Sequence, residues 1–329
     1  MSVDSLTSEQ HEQRSPFANL RSIAFELTIR LVILLVAAAL IFFGTALIPG
    51  DFVTELLGQD YTPELGAQLR HSLGLDRPLP ERFVTWLLHF LQGEFGQSFT
   101  SRIPVWEVVQ PRLGNTLMLA GAALCWFPLA LTAGVASFLA PPQSRRFLQL
   151  FMQIVLCAPE FLIAYIFIYV FAVQLHLLPA VSRLAPDQSV SQHIRVLILP
   201  SACLGVGMIA YVGRMLLSLL LMEEKKDYFE FARLRGFSRS WIALRYAVPA
   251  ILPSIVNLLL IYCAYLLTGV LVIEVVFGIS GIGELAVSSV VWRDIPVLQF
   301  CAVFITAIYV GIYSLSDLVA GQISKRGAL

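Results

Sequence analysis

The chain has 329 residues, 57% of them hydrophobic and only 13% charged, with a mean hydropathy of +0.78. So few polar groups cannot clothe a soluble globule, and lipid must cover much of the surface. The 22 basic residues balance the 22 acidic ones, so no net field attracts nucleic acid or an acidic substrate, and the information lies in where the charges sit.

From Met1 to about Pro16 the chain is polar, without a long apolar run or a small-residue cleavage site, and reads as a disordered tail rather than a cleaved leader. A helix that crosses about 30 Å of hydrocarbon needs roughly 20 apolar residues, because its amides must bond internally. Six runs qualify: Leu31–Ile48, Leu117–Leu139, Phe147–Val173, Val196–Met222, Ala247–Ile273 and Ile295–Leu315. Within them only Glu160, which follows Pro159 at an expected kink, and Arg214 are charged, and Glu274 closes the fifth run as an interfacial group. Ionisable groups in a membrane are costly, so each is a candidate functional residue; snorkelling to the interface also accounts for Arg214. The fold class is therefore an all-α membrane protein with six transmembrane helices.

Between the first two runs, Gly50–Arg112 carries Leu65, Leu69, Leu73, Phe83, Trp86, Leu87 and Phe90 at near-helical spacing, then the turn residues Gly93, Gly96 and Pro104. It is expected to fold as a cap of short amphipathic helices, either packing on its own spans or serving as a docking surface. Between the fourth and fifth runs, segment 222–248 is charged and helix-forming. Asp227 complements the dipole of a short helix, Tyr228, Phe231 and Ala232 form an apolar stripe, and Gly236 supplies a left-handed stop. Such a helix suits a partner's groove, or equally a membrane surface. Lys225, Lys226, Arg233, Arg235, Arg239 and Arg245 fall on the same side as Arg145, Arg146, Lys325 and Arg326, which the positive-inside rule makes the cytoplasm. Both termini (1–26 and 324–329) are then cytoplasmic tails of a transmembrane domain over 27–323, and the cap is external.

The five cysteines, Cys125, Cys157, Cys203, Cys263 and Cys301, are scattered through apolar runs and read as packing residues. His176 and Met208 lack the company a metal site needs, and no cofactor or metal is expected. No Gly-Lys dipeptide occurs, so a phosphate-cradling loop with its lysine cannot be built here.

The segment Asp227-Tyr228-x-x-x-Ala232-Arg233-x-x-Gly236, followed by Pro253, resembles the coupling loop of permease subunits in ATP-binding-cassette importers. Similarity to the dipeptide, oligopeptide and nickel subfamily extends over Ile48-Pro49-Gly50-Asp51, Leu73-Gly74-Leu75-Asp76-Arg77-Pro78, Gly93-Glu94-Phe95-Gly96-Gln97-Ser98 and Arg102-Ile103-Pro104-Val105. It continues through Leu178-Pro179-Ala180, Ile198-Leu199-Pro200 and Arg293-Asp294-Ile295-Pro296-Val297. The chain departs from the subfamily at Arg245, at Val248-Pro249 and at Ile279-Ser280-Gly281. The resemblance implies a subunit with no catalytic residues of its own, seated in a bacterial inner membrane. Its implied partners are a second permease, two ATPase subunits and an external substrate-binding protein. Asp227, Tyr228, Ala232, Arg233 and Gly236 would then couple it to the ATPases. An ion-coupled secondary transporter is the competing class; it would need an internal repeat and paired buried carboxylates, neither of which is evident.

Overall fold

The computed structural model describes residues 16–47, 62–72, 74, 76–184 and 189–327, and their regular structure is helical. The tail ahead of Pro16, the Ile48-Pro49-Gly50-Asp51 motif, Leu73 and Leu75 lie outside the described residues. In chain order the helices are α1 (Pro16–Ala46), α2 (Pro63–Ser72), α3 (Leu79–Leu91), α4 (Val105–Leu124), α5 (Phe127–Leu139), α6 (Pro142–Cys157) and α7 (Glu160–Phe167). They continue as α8 (Val190–Glu223), α9 (Asp227–Leu234), α10 (Arg239–Ile242), α11 (Leu252–Phe277), α12 (Ile282–Val291) and α13 (Ile295–Gly327).

Five stretches are long and apolar enough to cross a membrane: Phe25–Ala46, Val105–Leu139 (α4 with α5), Val190–Glu223, Leu252–Phe277 and Ile295–Val319. A sixth is a broken pair, α6 and the stretch Glu160–Gln174, bent by 101°. The break falls at Ala158-Pro159, where proline cannot continue the ladder of α6 and instead sits ahead of the first turn of α7. The kink expected at Pro159 is thus a sharp corner. The second span begins at Val105, twelve residues before the uncharged run, and the fifth begins at Leu252 after a π-turn over Ala243–Ala247. A short apolar helix, α12, fills what reads in sequence as a connector.

Small residues let the central helices approach closely, as packing without a hydrophobic drive in lipid requires. A methyl at Gly134 of α5 would lie 2.9 Å from the Gly213 carbonyl and from Leu216 Cβ of α8, and one at Gly205 would enter the Trp126 ring. The main core joins Leu119, Met208, Tyr262 and Phe277 from α4, α8 and α11. Two satellite cores occupy the ends. One packs Val105, Val109, Ile282, Leu285 and Phe300 beside α3, and the other packs Phe138, Leu217, Leu220, Phe229 and Ile242 beneath α9.

Candidate functional site

The segment between α8 and α11 is pinned to the bundle at definite points. Phe229 is 3% exposed and meets Phe138 of α5 edge to face, with centroids 6.3 Å apart. The Arg239 guanidinium donates to Glu224 at 2.8 Å and lies 4.2 Å above the same Phe138 ring. Tyr228 Oη donates to Glu223 Oε2 at 2.8 Å, and Lys226 Nζ donates to Glu223 Oε1 at 2.6 Å. Burial, reinforced by the hydrogen bond to Glu223, pushes the Tyr228 phenol above its ordinary pKa. Asp227 and Glu230 occupy the first turn of α9 and Arg233 the last, in keeping with the helix dipole.

Gly236 ends the helix at φ +86°, a conformation that side chains with a Cβ rarely adopt. Its N–H donates to the Arg233 carbonyl at 3.0 Å, and the Phe237 N–H donates to that of Ala232 at 3.2 Å. The turn brings Phe237 flat against Trp241, centroids 4.2 Å apart. A concavity of about 530 Å³ results, lined by Tyr228, Phe231, Ala232, Phe237, Tyr246 and Ala250 with Arg235. Phe231 is 66% exposed and Leu234 76%. Of the residues singled out in the sequence, Tyr228 and Ala232 line this concavity, Gly236 turns the chain around it, and Asp227 and Arg233 mark the ends of α9. Phe229, which anchors the helix, was missed; its neighbours at 228, 231 and 232 are apolar or aromatic too, so spacing alone did not distinguish the inward face.

At the opposite end of the bundle two carboxylates act as backbone clasps. Glu274 is fully buried within the protein. It accepts from Thr116 Oγ1 at 2.6 Å and from the N–H groups of Gly283 at 2.7 Å and Glu284 at 3.3 Å, which open α12. Thr116 in turn accepts from the Ile282 N–H at 2.9 Å. Arg112 pairs with Glu284 at 2.5 Å, and Asn115 donates to the Ser280 carbonyl at 2.9 Å. Gly281 is required here because a Cβ would strike the Glu274 carboxylate. The second clasp is Asp294, 5% exposed, which accepts from Ser98 Oγ at 2.5 Å and from the N–H groups of Phe99 at 3.0 Å and Thr100 at 3.2 Å. Two motifs 196 residues apart, Gly96-Gln97-Ser98 and Arg293-Asp294, therefore form one joint. Gly96 itself accepts from the Val105 N–H at 3.0 Å, and Gln97 bridges to Pro104.

Between the ends, a few polar side chains of the spans meet across helices. Glu160 lies beside Tyr265 and rests against Gly269, where a methyl would lie 2.7 Å from its Oε2. Arg214 is held by Gln153 of α6. Thr268 of α11 bonds Tyr309 of α13. Among the described residues no group of three or more His, Cys, Asp or Glu side chains is placed to hold a metal ion.

The family described as "Binding-protein-dependent transport system inner membrane component" matches residues 127–327, and its N-terminal companion matches residues 20–120. This chain belongs to that family. The permease is 34% identical over 291 residues to the "Probable peptide ABC transporter permease protein y4tP" of Sinorhizobium fredii, covering 87% of this chain and 92% of that protein. It is 33% identical over 270 residues to the "Glutathione transport system permease protein GsiC" of Salmonella paratyphi A, covering 81% and 85%. A "Putative peptide permease protein" of Brucella suis is 30% identical over 318 residues, covering 93% and 98%. The permease is thus an ATP-binding-cassette importer permease, a multi-pass protein of a bacterial inner membrane.

Proposed function

We propose that this permease forms, with a second permease, the membrane path for a peptide-type substrate, and that α9 and its concavity receive a separate ATPase subunit. The concavity carries the proposal. Phe231 and Leu234 stand exposed on a helix whose own anchor, Phe229, is already buried, so the outward face is rigidly presented yet unfilled. Dense basic residues around α9 support a cytoplasmic position for that end and for both termini, with α2 and α3 external and available to a substrate-binding protein. A peptide substrate, rather than nickel, is supported by the names of the relatives.

Ala232→Asp places a charge in the concavity that would be desolvated without a partner on association. Gly236→Val puts a β-branched residue at positive φ. Both variants should reach the membrane at normal levels, retain less ATPase subunit on purification and lose uptake. Unchanged uptake in both would refute the coupling role, and loss of the protein itself would make the segment structural. The isolated chain should neither bind nor hydrolyse ATP, and turnover by the chain alone would overturn the assignment of that chemistry to a partner.

A further inference from the structure

The corner between α6 and α7 places Glu160 at the start of a helix inside the membrane span, beside a group of tyrosines. Tyr265 lies close enough to interact with its carboxylate. The Tyr211 ring is parallel to that of Tyr265 within 5°, centroids 6.1 Å apart, and Tyr262 lies 5.8 and 5.7 Å from the two. Tyr262 is buried and donates to the Leu204 carbonyl at 3.3 Å, so it is structural. Tyr265, by contrast, is 48% exposed, and Glu160 and Tyr211 are only partly covered.

Among the described residues no ion pair reaches Glu160. Arg214 of α8 is engaged by Gln153. A carboxylate without a cation is costly in a membrane. The Tyr265 ring near it, stacked on that of Tyr211, attracts the same class of ligand that the carboxylate does, since a cation is drawn to the ring quadrupole. Lipid satisfies neither, and the small size of Gly269 is what admits the carboxyl group to this place.

We infer that Glu160, with the faces of Tyr211 and Tyr265, is a cation-selective station on the translocation path that receives an ammonium group of the substrate. The inference rests on the reading of the chain as a peptide permease, and a peptide's N-terminal ammonium is the group it would take.

The test uses the assembled importer in proteoliposomes and has two arms. Glu160→Gln is isosteric, keeps its seat on Gly269, and removes only the charge. In the first arm, uptake of trialanine should fall about tenfold, equivalent to about 1.4 kcal/mol. Assembly, basal ATPase activity and peptide affinity of the binding protein should not change. In the second arm, Thr268→Cys reports the site, because Thr268 is exposed and adjoins Tyr265 on α11. With the five native cysteines replaced, a trimethylammonium thiosulfonate should modify it faster than a sulfonate analogue, and Glu160→Gln should reduce that ratio about tenfold. If wild-type importer carries no peptide but the ratio depends on Glu160, the station stands and the peptide reading fails. If peptide is carried and neither uptake nor ratio responds to Glu160→Gln, the station is refuted and the peptide reading stands. Equal loss of uptake, assembly and ATPase activity would make Glu160 a structural residue and also refute the station.

Discussion

Truncating Phe229 should free α9 from the bundle, whereas truncating Phe231 should leave it in place. α9 lies outside the spans, so the ordinary aqueous cost of exposing apolar surface applies to it. A phenylalanine side chain buries about 150–250 Å², and at about 25 cal/mol per Å² this is worth roughly 4–6 kcal/mol. Phe229 is 3% exposed and takes nearly all of that, including its edge-to-face contact with Phe138. The alanine left behind keeps part of the area, so Phe229→Ala should cost about 3–4 kcal/mol, within the usual range for such core truncations. Phe231 is 66% exposed, so on the same scale Phe231→Ala should cost only about 1–1.4 kcal/mol in the free permease. Amide exchange in detergent reads the difference. Since each 1.4 kcal/mol is a factor of ten, α9 amides should exchange about 100- to 1,000-fold faster in Phe229→Ala and at most about tenfold faster in Phe231→Ala. Phe231→Ala should nonetheless weaken retention of the ATPase subunits. Equal loss of protection in the two variants would refute the division of α9 into an anchored face and a presented one.

Gly281→Ala should drive a methyl into the Glu274 carboxylate and loosen its bonds to Gly283 and Glu284, costing about 2 kcal/mol; a thermal midpoint equal to wild type would contradict the clasp. The Tyr228 phenol titrates higher in the folded loop than its ordinary value of 10.0, so its stabilisation is complete below about pH 10 and declines as the pH rises above that. Protection of α9 should fall between about pH 10 and 11 in wild type, and Tyr228→Phe should flatten that dependence while lowering protection at neutral pH. Leu91→Cys and Leu234→Cys replace residues 75% and 76% exposed at opposite ends of the bundle. In intact cells an impermeant reagent should label the first and spare the second, and the reverse pattern would invert the proposed orientation.

Much of the membrane architecture was legible because uncharged runs near 20 residues have few other uses. Pro159 signalled the broken span and Gly236 the left-handed stop, each through a backbone constraint that acts locally. What could not be read depends on partners distant in sequence. Glu107 and Arg112 read as charges outside a span, yet α4 begins at Val105, directly after Pro104, and Arg112 pairs with Glu284, 172 residues away. Nothing near Glu274 in sequence shows that its carboxylate takes the N–H groups that open α12. Ser98 and Asp294 sit in recognisable motifs, but nothing local reveals that the two motifs bond to each other. The inward face of α9 was ambiguous because aromatic or apolar residues cover both sides of an eight-residue helix.

The joint between Ser98 and Asp294 also sets an order of events during synthesis. The loop that precedes α4 cannot close until a residue 196 positions later has left the ribosome, which at 5–20 residues per second is a wait of roughly 10–40 s. Until then the N–H groups of Phe99 and Thr100 have no carboxylate to bind, and α3 packs beside a place that Phe300 has not yet filled. The end of the bundle bearing α2 and α3 is therefore completed only with Asp294 and α13, made after the other described helices, so a chain truncated before Asp294 would leave this end open however well its earlier spans had inserted.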